Sequence, residues 1–129
     1  MKVSTYGWPL SVLSCALLIG CGAAPTRAQD PSRYTLVASS AVPVAAAPAL
    51  VECLTDAFMG ANTGNTAFSV QQTRRVEGTR VEVYVSRVNL AVSADVFDSG
   101  KAELRMAPDP FGMFTKEPIA FDSCIKNLR

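Results

Sequence analysis

Ser123 and Lys126 stand three residues apart, the spacing at which one helical turn brings a lysine amine to a serine hydroxyl. Four-residue matches arise easily by chance. The other elements such a nucleophilic site needs are absent from the chain, so a solvent-facing pair beside Cys124 is the better reading. Glu52 with Asp56 at i, i+4, and Asp95 with Asp98 around a turn, have the residue types for acid–base work or for a calcium ion. Neither pair has the ligand density of a calcium loop, and solvated helix and turn positions account for both. The chain has no histidine, which removes His-based triads and most zinc, copper and iron sites. No catalytic residue, metal ligand or cofactor is assigned, and the protein is read as a non-enzyme.

Two groups of residues are candidates for contact with a partner. Arg74, Arg75, Arg80, Arg87 and Arg105 collect on or near a sheet. By strand parity Arg75, Arg80 and Arg105 share a polar face with Ser69, Gln71, Thr73, Glu82, Tyr84 and Glu103. Such a face suits an anionic partner or a glycan, with Tyr84 near its centre. The plainer account is a solvated face laced by cross-strand ion pairs. Phe111, Met113 and Phe114 lie in a Pro/Gly loop, where apolar side chains either cap the core edge or face a partner, capping being the commoner outcome. Twelve Lys and Arg against eleven Asp and Glu leave a net charge of +1, so no bulk charge drives the chain onto nucleic acid.

The elements that position these residues follow from periodicity. From Pro48, a good first-turn residue, Leu50, Cys53, Leu54, Ala57 and Phe58 form one apolar helical stripe, and Gly60 is placed to end the helix. Asn62–Asn65 is a turn cluster. After Thr66 the period becomes two: Phe68, Val70 and Gln72, then Val81, Val83 and Val85, with Glu77-Gly78 near a hairpin turn. Parity slips at Val88 and Leu90, which predicts a bulge or turn near Arg87–Asn89. A strand over 91–97, a reversal at Asp98–Lys101 and a strand over 102–106 follow. A last helix over 118–128 carries Phe121, Cys124, Ile125 and Leu128 on one face. The predicted fold is α+β: a three- or four-stranded antiparallel sheet with an N-terminal and a C-terminal helix on one face.

The N-terminal part decides how this domain is held. An apolar run from Leu10 to Gly20 follows the lone charge Lys2 and ends in Leu18-Ile19-Gly20-Cys21. Its core is shorter than a spanning helix needs, so it reads as a signal-peptide segment. Aliphatic, aliphatic, small, Cys at that point resembles the lipobox of bacterial lipoproteins. The resemblance implies that the Cys21 thiol carries a diacylglycerol, that residues 1–20 are removed and that the membrane is a partner through this lipid. Gly22, in place of the aspartate that commonly retains such proteins in the inner membrane, implies the outer membrane facing the periplasm. A competing site at Thr26-Arg27-Ala28 would give a soluble secreted protein.

Four cysteines, Cys15, Cys21, Cys53 and Cys124, allow three full pairings. Cys15 lies in the discarded leader and Cys21 is lipidated or discarded, which leaves Cys53 and Cys124 for one disulfide in an oxidising compartment. The resulting plan is a signal peptide over 1–20, a lipidated Ala/Pro-rich tether over 21–47 and a domain over 48–129. Inside the tether, Tyr34–Val37 is a short extended segment. The functional expectation is an envelope lipoprotein acting as a binding or structural accessory to an envelope protein. A periplasmic inhibitor or small-ligand-binding module is the alternative.

Overall fold

The computed structural model describes residues 31–128. Leu18–Cys21, Cys15 and the alternative cleavage site at 26–28 lie outside the described residues. After a short 3₁₀ turn (Pro31–Arg33) come β1 (Thr35–Ala41), a second 3₁₀ turn (Val44–Ala46) and α1 (Ala47–Ala61). Then follow β2 (Phe68–Arg75), β3 (Gly78–Val85), β4 (Asn89–Phe97), β5 (Lys101–Met106) and α2 (Lys116–Asn127). The strands make one antiparallel sheet in the order β1-β5-β4-β3-β2. The architecture is α+β as the periodicity predicts, with both helices on one face.

The sheet has five strands rather than three or four. The extra one, β1, comes from the segment read as tether and overlaps the short extended segment expected at Tyr34–Val37, so the folded unit begins before Pro48. Its small residues hid it: Ala38 and Ser40 lie opposite Leu104 and Ala102 of β5 and give almost no hydrophobic alternation. What makes it a strand is backbone pairing along β5, interrupted by a bulge at Val37. The chain then turns at Val42, whose N–H donates to Gly100 O at 2.9 Å. Gly100 has φ +89°, and a Cβ there would sit 2.7 Å from Val42 O, so only glycine fits this close approach.

α1 buries Leu50, Val51, Leu54 and Phe58; of the predicted stripe, Cys53 and Ala57 are partly buried, and Val51 is an addition to it. The helix runs through Gly60 to Ala61 instead of stopping at the glycine, and Asn62 ends it. Its side-chain Nδ2 donates to Phe58 O at 2.8 Å and to Glu117 Oε1 at 3.0 Å, which satisfies one of the open carbonyls at the helix end. The stretch Val44–Ala61 is long and apolar enough to cross a bilayer by length and composition, with mean hydropathy 1.4. In this fold it holds a core helix whose apolar stripe packs on the sheet.

The β2–β3 turn is Val76-Glu77, one residue earlier than expected, because Arg75 already pairs with Gly78. A Cβ on Gly78 would run into the backbone carbonyl of Val96. The parity slip in the β3–β4 hairpin has two causes. Ser86 and Arg87 both take positive φ in the turn, and Ala91 is the extra residue between Leu90, opposite Tyr84, and Val92, opposite Val83. α2 starts at Lys116, two residues before Pro118, and buries Phe121, Cys124 and Ile125. Cys53 and Cys124 are bonded, with Cα atoms 5.9 Å apart and 71 positions between them in sequence. The bond clamps α1 to α2 over the core formed by Val81, Val83, Val92, Ala94, Val96, Ala102 and Leu104.

Candidate functional site

The sheet face turned away from the helices carries the predicted polar set. Strand register arranges it in cross-strand rows. One row runs Thr73, Arg80, Asp95, Glu103, Ser39; the next runs Gln71, Glu82, Ser93, Arg105, Leu36. Although this face is polar, Glu82, Ser93, Asp95 and Glu103 are all buried. Buried charges persist only when paired, and these are. Arg80 takes Asp95 in a two-point contact, Nε to Oδ1 at 2.6 Å and Nη2 to Oδ2 at 3.4 Å. Glu82 receives Thr73 Oγ1 at 2.9 Å and Arg75 Nη2 at 3.5 Å. Glu103 lies between Lys101 and Arg105.

This geometry shows how the polar-face arginines are placed. Arg80 and Arg105 are paired with internal carboxylates, and of these three polar-face arginines Arg75 keeps its side chain about half exposed, at 47 %. Glu103 is held below the usual carboxylate range, chiefly by the hydrogen bond from Lys101, with the Arg105 charge adding to it. Tyr84 is half-buried beside Glu82. Burial first, and then the neighbouring carboxylate, push its phenol above 10.0. It stays a neutral donor at any physiological pH.

Asp95 and Asp98 each take an arginine of their own. Asp95 faces Arg80 on the polar face, while Asp98 sits at the sheet end and receives Arg74 at 2.6 and 3.0 Å. That bond holds Asp98 below its ordinary value. Glu52 and Asp56 are exposed on α1. Ser123 donates to Ile119 O at 2.9 Å and Lys126 lies 4.0 Å from Asp122, so each member of the Ser-x-x-Lys spacing has a local partner of its own. Among the described residues, no group of three or more Cys, Asp or Glu is placed to hold a metal ion.

The apolar loop divides. Phe114 is buried and meets Phe68 edge to face, with ring centroids 5.5 Å apart. Phe111 and Met113 stay outside, Phe111 at 84 % exposure. Asp109 explains how the loop can hold them there. Its carboxylate accepts the backbone N–H of Met113 at 2.9 Å and of Phe114 at 2.8 Å, and these bonds lower its pKa.

Two features went unread in the sequence. An open-sided cleft of about 530 Å³ lies between the start of α1 and the β2–β3 edge, with Val44, Pro48 and Val51 as apolar lining and Glu52, Arg74 and Asp98 as charged lining. Its charged members come from α1, β2 and the turn after β4, far apart in sequence, so no local motif could announce it. Tyr34, taken for part of a tether, is buried at 2 % exposure and donates to Leu90 O at 3.2 Å. The aromatic in an Ala/Ser/Pro-rich stretch was the available signal. Compared with models of known protein families, with curated proteins and with solved structures, the chain matches none.

Proposed function

We propose that the protein is a lipoprotein of the bacterial cell envelope, anchored through Cys21 to the outer membrane and acting there as a binding or structural accessory. The observation that carries the reading is the Cys53–Cys124 bond. It uses both cysteines of the folded domain, and such bonds persist in exported proteins. Leu18-Ile19-Gly20-Cys21 then specifies the form that export takes, by its resemblance to a lipobox. Tyr84 and Arg75 are the polar-face side chains available to an envelope partner. Fractionation of the full chain tests the anchor: it stays with membranes washed in high salt, and Cys21→Ser moves to the soluble fraction. Equal membrane retention of the two would overturn it. Partner capture from detergent extracts, weakened by Tyr84→Ala, tests the accessory role.

One observation favours a second reading, a small-ligand-binding module. The cleft beside α1, about 530 Å³, falls in the ~300–1,000 Å³ range of ligand sites and mixes apolar walls with a few polar groups. A thermal-shift survey with small anionic and amphiphilic compounds tests it, with Arg74→Ala as control. Stabilisation present in the parent and absent in Arg74→Ala supports this reading; no stabilisation by any compound removes it.

A further inference from the structure

The sheet has two unlike ends. β1 starts at the end where β5 and β3 finish and where β4 and β2 begin, since Thr35 pairs with Met106, Phe68 with Val85 and Val85 with Asn89. The turn before β2, the 86–88 turn and the 107–115 loop all lie at this proximal end. Ser86 N–H donates to Ala67 O at 2.7 Å, Ala107 N–H to Ala91 O at 2.8 Å, and Phe114 stacks on Phe68. The Asn62–Glu117 bond brings the end of α1 and the first turn of α2 to the same place.

Nine large apolar side chains are exposed among the described residues, and all but Val44 and Val76 belong to the proximal end. Phe111, Met113 and Val88 stand on its loops, Met59 and Ile119 on the adjoining helix turns. Leu36 and Val37 open β1. The exposed cations Arg87 and Lys116 stand among them, while the carboxylate of Asp109 is taken up by backbone amides. The distal end is ionic instead, with Arg74 paired to Asp98 and Lys101 to Glu103. Single exposed apolar residues need no explanation, but this segregation marks one end as suited to a partner that takes both apolar and cationic side chains.

Chain length says which partner. Because the first described element starts at Pro31 and not at Pro48, only residues 22–30 lie between it and Cys21. Whatever their path, nine residues span at most ~30 Å. Those nine residues join the domain at the proximal end, next to Tyr34 and Leu90. A lipid on Cys21 therefore keeps the apolar loops within reach of the bilayer surface, and the ionic end farther from it.

We propose that the proximal end, led by Phe111, Met113 and Val88 with Arg87 and Lys116, rests in the headgroup region of the membrane that holds the anchor. This orientation depends on the Cys21 anchor reading. Trp8, the one tryptophan of the chain, precedes Cys21, so the processed form carries only an introduced reporter. Full-length Phe111→Trp and Val76→Trp are expressed, purified from membranes and reconstituted in phosphatidylethanolamine/phosphatidylglycerol vesicles with acyl-brominated lipid. Cys21 acylation is read by mass on the same samples. The expected result is a blue-shifted Phe111→Trp emission and a several-fold larger quenching than for Val76→Trp. Acylated Cys21 with equal or absent quenching at the two sites overturns the orientation alone. Unmodified Cys21 overturns the anchor and the orientation together.

Discussion

On the helix-covered face of the sheet, Val81, Val83, Val92 and Leu104 are fully buried; on the other face, the alternating positions Glu82, Asp95 and Glu103 are nearly as dry. Neighbouring residues of the same strands thus exclude water in opposite ways. The first face does it with apolar volume pressed against α1 and α2, the second with carboxylates roofed by Arg80, Arg75, Lys101 and Arg105. The difference teaches where stability and where specificity reside. Apolar burial is favourable in itself. A buried ion pair roughly balances desolvation against attraction, so its chief effect is to penalise any arrangement that separates the partners.

Truncating the helix-side core is expected to cost most. Phe58→Ala removes a fully buried ring under α1 and lowers unfolding free energy by about 3–5 kcal/mol. Denaturant titration checks this, and a loss below 1 kcal/mol would mean that the helix does not pack as described. Opening the staple comes next. Cys53→Ser with Cys124→Ser releases a loop of 71 positions and costs about 2–5 kcal/mol. Reduction of the parent protein should give a matching loss.

The polar face answers differently. Asp95→Ala leaves the Arg80 guanidinium, whose side chain is 16 % exposed, with the longer contact to Glu82 at 3.9 Å, and is expected to cost about 2–4 kcal/mol. Replacing both, Arg80→Met with Asp95→Leu, should recover most of that loss. A double variant no more stable than Asp95→Ala would show that the pair is a net stabiliser and would break the contrast between the faces. The smallest effect is in acid. Glu103 has a folded pKa below its ordinary 4.5, so its contribution is fully present above 4.5 and disappears as pH falls through the lower folded value. Glu103→Gln should flatten that part of the stability–pH profile and leave the profile between pH 6 and 8 unchanged in shape.

The helix-covered face could be read in the sequence because it is built from repeating apolar positions. Leu50, Leu54 and Phe58 at helical spacing, and Val81 and Val83 at strand spacing, have no competing arrangement that buries them all. β1 could not be read that way. Its inward residues Ala38 and Ser40 carry little hydrophobic signal, and its stability comes from pairing with β5, which lies more than sixty residues away in the chain. The polar rows were half legible: parity put Arg75, Arg80 and Arg105 on one face, but the partner of Arg80 depends on how β3 and β4 align. The bulge at Ala91 occupies the very hairpin that sets that alignment. The split of the 111–114 loop, with Phe114 inside and Phe111 outside, rests on the Asp109 bonds to backbone amides, a local chemistry that hydropathy does not register.

Intact-mass analysis of the protein extracted from membranes, before and after reduction, tests the central claim most directly. The account predicts a chain that begins at an acylated Cys21 and gains two protons on reduction, from the opening of Cys53–Cys124. A mature chain beginning at Gln29, or an unmodified Cys21, would contradict it.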